Sequence, residues 1–427
     1  MENRLKQTPL RAWHSDYGAQ MAVFGEYEMP LWYSSAKDEQ IRVLTRAGIF
    51  DTSHMSAILV TGSHARELLQ NCFSNDLDHC IGPRKDKLIP GRCVYGAFLT
   101  DAGHVMDDSI LYMLDHTHYM VVVNSGMGPR ISRHLKEQAY PKATRIVDLS
   151  GKIAKLDIQG PASAAILTRV MDHPDAVFKG MPYFSFKGRF NGAPPVTREV
   201  RLDRDIPVLI SRTGYTGEFG FELFTETMYA ARLWNTIFRA GEPYGLIPCG
   251  LAARDSLRAG AVLPLSHQDI GPWPFIHHPW PFALPFNGNG ITFSKRFIGD
   301  RALLNIDNPE YTYPFIGFDI RKVEAGENTA VVDPDGRLLG RVLSCVSDMS
   351  LDRFENRVYS INSKDKPDQF SPRGLACGFV KLNRSMHHGQ TVFLVDKRRR
   401  IKVMITDDIR PDRSARRPMS SLMSLRS

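Results

Sequence analysis

No apolar run in these 427 residues approaches the roughly 20 that a membrane-spanning helix requires. The opening "MENRLKQTPL" has no apolar core of the kind a secretory signal carries, so neither export nor membrane insertion is expected, and a cytoplasmic location is. Cysteine is sparse and scattered: Cys72, Cys80, Cys93, Cys249, Cys345 and Cys377 form no C-x-x-C pair and read as reduced, mostly buried thiols. The adjacent histidines His277–His278 and His387–His388 lack the i,i+4 spacing of a helical ligand pair, so no metal is expected. There is no P-loop, no G-x-G-x-x-G after a strand, no G-x-S-x-G and no H-E-x-x-H. Nucleotide hydrolysis, a resident dinucleotide and triad hydrolysis therefore lack sequence support.

What is present is an ordinary globular composition, 43% hydrophobic and 23% charged, on a chain long enough for two or three domains. The net charge of +8 lies partly in "DKRRRIK" and "RPDRSARRP". Without a nucleic-acid motif beside them, these read as a solvated hairpin tip and a solvated C-terminal tail, and no nucleic-acid partner is expected.

Strand and helix patterns alternate through the first 290 residues. "SAILVTGSHARELLQNCF" reads as strand, turn and helix with Ser63 as N-cap, and "SGMGPRISRHLKEQA" as a helix opened by Ser125. "CVYGAFLTDAGHVMDDSILYML" reads as a hairpin turning at Asp101–Ala102–Gly103. "KIAKLDIQGPASAAILTRVM" is strand then helix, with Pro161 suited to a first helical turn, and residues 228–239 have helical spacing. After Phe293 short strands dominate, so the chain is α+β with a β-rich end.

Three places carry polar residues where the pattern asks for burial. In "SRTGYTGEFGFELF", glycines recur at Gly214, Gly217 and Gly220, and Glu222 shares a strand face with Gly220 and Phe224. A buried carboxylate needs a donor: an internal arginine, or a ligand offering two parallel N–H groups, as the edge of a pterin does. Taken alone, an Arg–Glu pair in a hairpin is the simpler reading. The glycines would let a flat ring approach, with Tyr215 packed against it. In the hairpin, Asp108 follows Asp107 and alternates with Ile110, Tyr112 and Leu114, held by backbone donors or poised as an acid–base group. In "CGLAARDSLRAG", Arg254 and Arg258 lie one helical turn apart, with Asp255 available for internal pairing. A further loop, "GPWPFIHHPWPF", repeats "PWPF" around two histidines. Packing against a neighbouring domain and lining a substrate pocket stand level as readings of it.

In order along the chain, "TPLRAWHSDYGAQMAVFGEYEMPLWY", "IFDTSHM", "LTDAGHVMDDSILYML", "RTGYTGEFGFEL", "GLAARDSLR" and "KRFIGDRAL" resemble the glycine-cleavage T-protein family, the tetrahydrofolate-dependent aminomethyltransferases. The resemblance implies an α+β, three-domain clover-leaf with a central folate-binding hole: residues 1–56 plus 147–250, a ferredoxin-like unit of 57–146 plus 251–305, and a C-terminal β-barrel or jelly-roll-like unit, 306–427. It also implies that the chain starts without room for a transit peptide. Glu222 would grip the pterin edge, Asp108 would serve as the essential aspartate near folate N5, and Met55, Tyr95, Asn124, Tyr215 and Arg254 would contact the cofactor. The implied reaction takes an aminomethyl group from the lipoyl arm of an H-protein, releases ammonia and forms methylene-tetrahydrofolate.

Two departures bear on the one-carbon donor. Where the family runs "LEAGLPLYGHDI" this chain has "AGAVLPLSHQDI", losing a glutamate at Gly260, and "FIHHPWPFALPF" replaces "TPLEAGL". Trp273, His277, His278 and Trp280 are then candidates for a substrate pocket. The competing expectation is a tetrahydrofolate-dependent demethylase acting on a small methoxyaromatic or sulphonium methyl donor. A non-catalytic folate-binding role ranks lower, since "SKRFIGDRA" stands where those relatives carry "KGCYxGQE".

Overall fold

The computed structural model describes residues 5–139, 143–190, 199–288, 290–326 and 328–420. Two mixed sheet-and-helix layers are followed by a closed barrel. The first sheet has six strands in the spatial order Phe186–Gly188, Leu209–Ser211, Gly220–Glu226, Ile153–Gln159, Ala47–Asp51 and Leu246–Pro248. Period-2 alternation gives it two different faces. Phe219, Phe221 and Leu223 join Leu156, Ile158, Trp234 and Ile237 in an apolar core. The other face carries Lys155, Asp157, Glu222 and Phe224, with Asp157 directly opposite Glu222 in the antiparallel register.

The second sheet is antiparallel, in the order Cys93–Leu99, Val105–Met113, His118–Val123, Ser56–Thr61, Arg145–Asp148. The helices Ala65–Cys72 and Gly128–Gln138 cover one side, with Leu68, Leu69, Ile131 and Leu135 in its core. Its other side presents Tyr112, Leu114 and Val122 to Phe186, Leu209 and Phe224 of the first sheet. The Asp108 face and the Glu222 face are thereby brought together. Among the described residues, 251–305 add no strand to this sheet. The helix Leu251–Gly260 packs instead against the helix Ala36–Thr45 and against barrel strands. The barrel closes through Tyr311–Gly317, Leu375–Leu382, Leu338–Asp348, Ala330–Val332, Thr391–Val395 and Arg400–Ile405.

Local expectations met mixed outcomes. The hairpin turns at Asp101–Gly103 as read, with Gly103 at φ +76°. Ser63 and Ser125 are not N-caps: each adjoins a glycine at positive φ, Gly62 and Gly126, and the two helices are capped at His64 and Met127 without a side-chain hydrogen bond. Pro161 stands just outside its helix, which begins at Ser163. The "DKRRRIK" segment forms the hairpin tip, 396–399, and the start of the strand Arg400–Ile405 that follows it. The described part of the C-terminal tail is only partly solvated, with Asp412, Arg416 and Pro418 exposed. Arg410 and Ser414 are buried, and Ser414 Oγ donates to Glu218 (2.6 Å) while accepting from Phe219 N (2.9 Å). Arg212 holds the carbonyls of Ala415 and Arg417 at 3.1 and 3.2 Å. Positive charge near a chain end reads as solvent-facing only until buried acceptors are known. No helix among the described residues is long and apolar enough to cross a membrane.

Candidate active site

Glu222 is 5% exposed and its donor is a lysine, neither of the two partners the sequence offered. Lys155 Nζ lies 2.5 Å from Glu222 Oε1 and 2.6 Å from Asp157 Oδ1. Thr213 Oγ1 donates to Glu222 Oε2 at 2.5 Å, and Tyr112 OH approaches the same oxygen at 3.5 Å. Arg254 Nη1 donates to Asp157 Oδ2 at 2.9 Å. The result is an alternating buried chain, Arg254–Asp157–Lys155–Glu222, whose formal charges cancel. Burial pushes the Asp157 carboxyl up, but Lys155 and Arg254 outweigh it and hold the group below the usual carboxylate range. The missed signal was the lysine and aspartate two residues apart in the otherwise apolar "KIAKLDIQG".

The glycines around this acid serve a neighbour. A Cβ at Gly214 would fall 2.2 Å from Gln159 Oε1, and one at Gly220 2.6 Å from Gln159 Cδ. Gln159 fills that space, donating to the carbonyls of Phe221 (3.2 Å) and Thr213 (3.4 Å) and accepting from Thr216 Oγ1 (2.9 Å). Tyr215 donates to the carbonyl of Pro264, and the Arg254 guanidinium lies 4.7 Å from its ring centre. Arg258 pairs with Asp255, as expected, and with Asp269.

On the facing sheet, Asp107 and Asp108 point to opposite sides of one strand. Asn124 ties them together: its backbone N–H donates to Asp107 Oδ2, and Nδ2 donates to Asp107 Oδ1 and Asp108 Oδ1, each at 2.9 Å. Tyr95 OH donates to Asp108 Oδ2 at 2.9 Å. Burial, then the charge of Asp107, raises the Asp108 pKa to about 6 against hydrogen bonds from Ser266, Tyr95 and Asn124. Tyr95 is the tyrosine in contact with Asp108, and burial with that neighbouring charge pushes its own pKa well up. Met55 lies in the apolar seam between the sheets. Beside it, His54 is buried, its Nδ1 has no partner among the described residues, and burial lowers its pKa to about 4, so it is neutral at pH 7.

Trp273, His277 and Trp280, candidates for a donor pocket, face the barrel instead, and the fourth, His278, is buried between Phe275 and Trp280. Trp280 is 1% exposed, donates to Val262 O (2.8 Å) and packs 5.3 Å from Phe379. Trp273 lies under Lys381 and Arg341 at 4.9 and 5.4 Å. His277 stacks on Tyr311 at 4.9 Å. Burial lowers the pKa of His277, and that of His278 to about 3, so His278 is neutral at pH 7. This supports the packing reading of the loop. Its start bonds the hairpin next to the aspartates, Gly271 O accepting from Val105 N at 3.3 Å, and at its end Phe282, 54% exposed, lies 5.8 Å from the Tyr95 ring. Replacing Trp280 by alanine should therefore cost about 3–5 kcal/mol in denaturant unfolding. A stable variant with altered donor use would restore the pocket reading.

Gly260, where the family pattern carries a glutamate, also has a packing cause. A Cβ there would meet Asp348 Oδ2 at 2.2 Å and Arg410 Nη1 at 2.5 Å. Arg410 donates to Asp348 at 2.8 Å and to the carbonyl of Leu257 at 3.2 Å, and lies 3.4 Å from Glu218.

Residues 10–273 match the family model described as the GCVT N-terminal domain. An aminomethyltransferase of Streptomyces coelicolor is 40% identical over 304 residues, 70% of this chain and 73% of the relative. One from Bacillus subtilis is 36% identical over 327 residues, 74% and 83% of the two chains. The crystal structure of the glycine cleavage system aminomethyltransferase T from Bartonella henselae superposes with a TM-score of 0.72 at 25% identity, covering 94% of this chain and 97% of that one. This chain belongs to the glycine-cleavage T-protein, or aminomethyltransferase, family.

Proposed function

We propose that this chain is a tetrahydrofolate-dependent aminomethyltransferase, taking its one-carbon unit from the aminomethylated lipoyl arm of an H-protein. The observation that carries the reading is the Asp108 cluster: a carboxylate whose pKa burial and a second carboxylate raise to about 6, hydrogen-bonded by Tyr95 and Asn124, in a chain whose relatives bear that name. A group whose pKa lies near the working pH suits proton exchange in a transition state.

The residues present fit a pterin. Glu222 accepts hydrogen bonds from Lys155 and Thr213 and a long one from Tyr112, and an ionised carboxylate has about four acceptor sites, so it retains capacity for a further N–H donor, and for two if the long Tyr112 contact gives way. Tyr215 and Arg254 offer a flat, cationic surface, and Met55 an apolar one. Bound tetrahydrofolate would supply the nucleophilic nitrogen. Asp108 would accept and return a proton there, while Tyr95 and Asn124 hold its two oxygens in place. No protein nucleophile is required, so positioning and electrostatics carry the rate.

The test offers tetrahydrofolate with aminomethylated H-protein, or with a panel of methoxyaromatics and methylated sulphur compounds. Ammonia release with methylene-tetrahydrofolate is expected from the first. Methyl-tetrahydrofolate formed only from the second would replace this reading with the demethylase. Glu222→Gln keeps the shape and removes the charge. It should weaken tetrahydrofolate by about 1.5–3 kcal/mol in calorimetry, and an unchanged affinity would remove Glu222 from the binding set.

A further inference from the structure

One strained residue stands beside the aspartates. His267, in "LPLSHQDI", has φ +62°, a left-handed conformation that glycine adopts freely and other residues hold only when their surroundings impose it. The corresponding family string, "LPLYGHDI", has glycine at this place. Here the imidazole is aimed at the site: Nε2 lies 3.6 Å from Asp107 Oδ1, with the His267 side chain 43% exposed and Asp107 fully buried. Ser266 Oγ donates to the same Asp107 oxygen at 3.3 Å. Asp107 is joined to Asp108 through Asn124 Nδ2. The charges facing the ring are Asp107 and Asp108 from the hairpin and, opposing them, Arg130 from the helix Gly128–Gln138. Contact with Asp107 raises the His267 pKa, and burial only partly offsets that.

We infer that His267 is a positioning residue whose positive charge keeps Asp107 ionised, so that of the two adjacent carboxylates only Asp108 exchanges a proton during one-carbon transfer. Two neighbouring carboxylates otherwise titrate as a pair, with neither assigned the task. A cation on Asp107 breaks that symmetry. It also limits how far the Asp107 charge lifts Asp108, because a positive neighbour favours the ionised form. The strained backbone is what brings the ring to Asp107. This inference rests on the aminomethyltransferase reading, yet its first test does not need turnover.

In an NMR titration of the full chain, the His267 resonance should move to lower pKa when Asp107 is replaced by asparagine. An unchanged His267 titration overturns the inference whatever the enzyme's activity. The second test is the pH profile of kcat/KM with aminomethylated H-protein. His267→Gly suits φ +62° and should fold at least as stably. Losing the cation should shift its acid limb upward by about 0.5–1 pH unit, so its rate falls about 3- to 10-fold on that limb while the high-pH plateau holds. His267→Arg keeps the charge and should return the limb toward that of the parent. Parent turnover with identical profiles for His267→Gly and the parent overturns the inference alone; absence of parent turnover overturns the aminomethyltransferase reading instead.

Discussion

Asp108→Asn should lower turnover with aminomethylated H-protein by roughly 100- to 10,000-fold, the range typical of a positioned acid–base group. Tetrahydrofolate affinity should change far less. The side chain keeps its size, and one of the two donors, Tyr95 or Asn124, still finds an oxygen, but the proton acceptor is gone. The sign of the pH dependence follows from the raised pKa of about 6. If the ionised carboxylate does the work, kcat/KM in the parent should climb as pH rises through about 6 and then level off. The asparagine variant should lose that limb along with the rate. Near-parental turnover in a folded variant would make Asp108 a structural residue that merely holds Tyr95 and Asn124.

Lys155→Met should destabilise the fold by about 3–5 kcal/mol, the usual consequence of removing one partner from a buried ionic cluster. Lys155 is 1% exposed and contacts two carboxylates, so its loss leaves Glu222 with only hydroxyl donors while Asp157 retains Arg254. Methionine fills much of the volume, so the loss reflects charge more than a cavity. Denaturant unfolding measures it. Adding Glu222→Gln to Lys155→Met should recover part of the stability, because the uncompensated charge is then removed. A Lys155→Met variant within about 0.5 kcal/mol of the parent would mean that Glu222 takes up a proton when its lysine is absent. Pterin recognition by that acid would then fail in the same variant.

The two outcomes separate the halves of the site. Asp108 is expected to act on rate and Lys155 on stability and affinity, although Tyr112, only four residues beyond Asp108 on the same strand, approaches Glu222 directly. The loop "GPWPFIHHPWPF" belongs to neither half. Its second tryptophan helps seal the barrel against the rest of the chain, and Phe282 packs on Tyr95.

By itself the sequence determined the hairpin that presents Asp107 and Asp108, the strand that sends Phe219, Phe221 and Leu223 one way and Glu222 the other, and the family. Each rests on neighbours in the chain: a two-residue period, a glycine turn, or an ordered set of short motifs. Only the tertiary structure decided who meets Glu222, and it chose Lys155, 67 residues away on the adjoining strand, over an arginine. It also docked the basic tail onto Glu218 and the glycine-rich loop, turned Trp280 toward the barrel, and set His267 beside Asp107. Periodicity tells which face a side chain takes. What lies across from that face depends on strand order and on how separate layers stack, and those are set by the burial of the whole chain, which no local pattern carries.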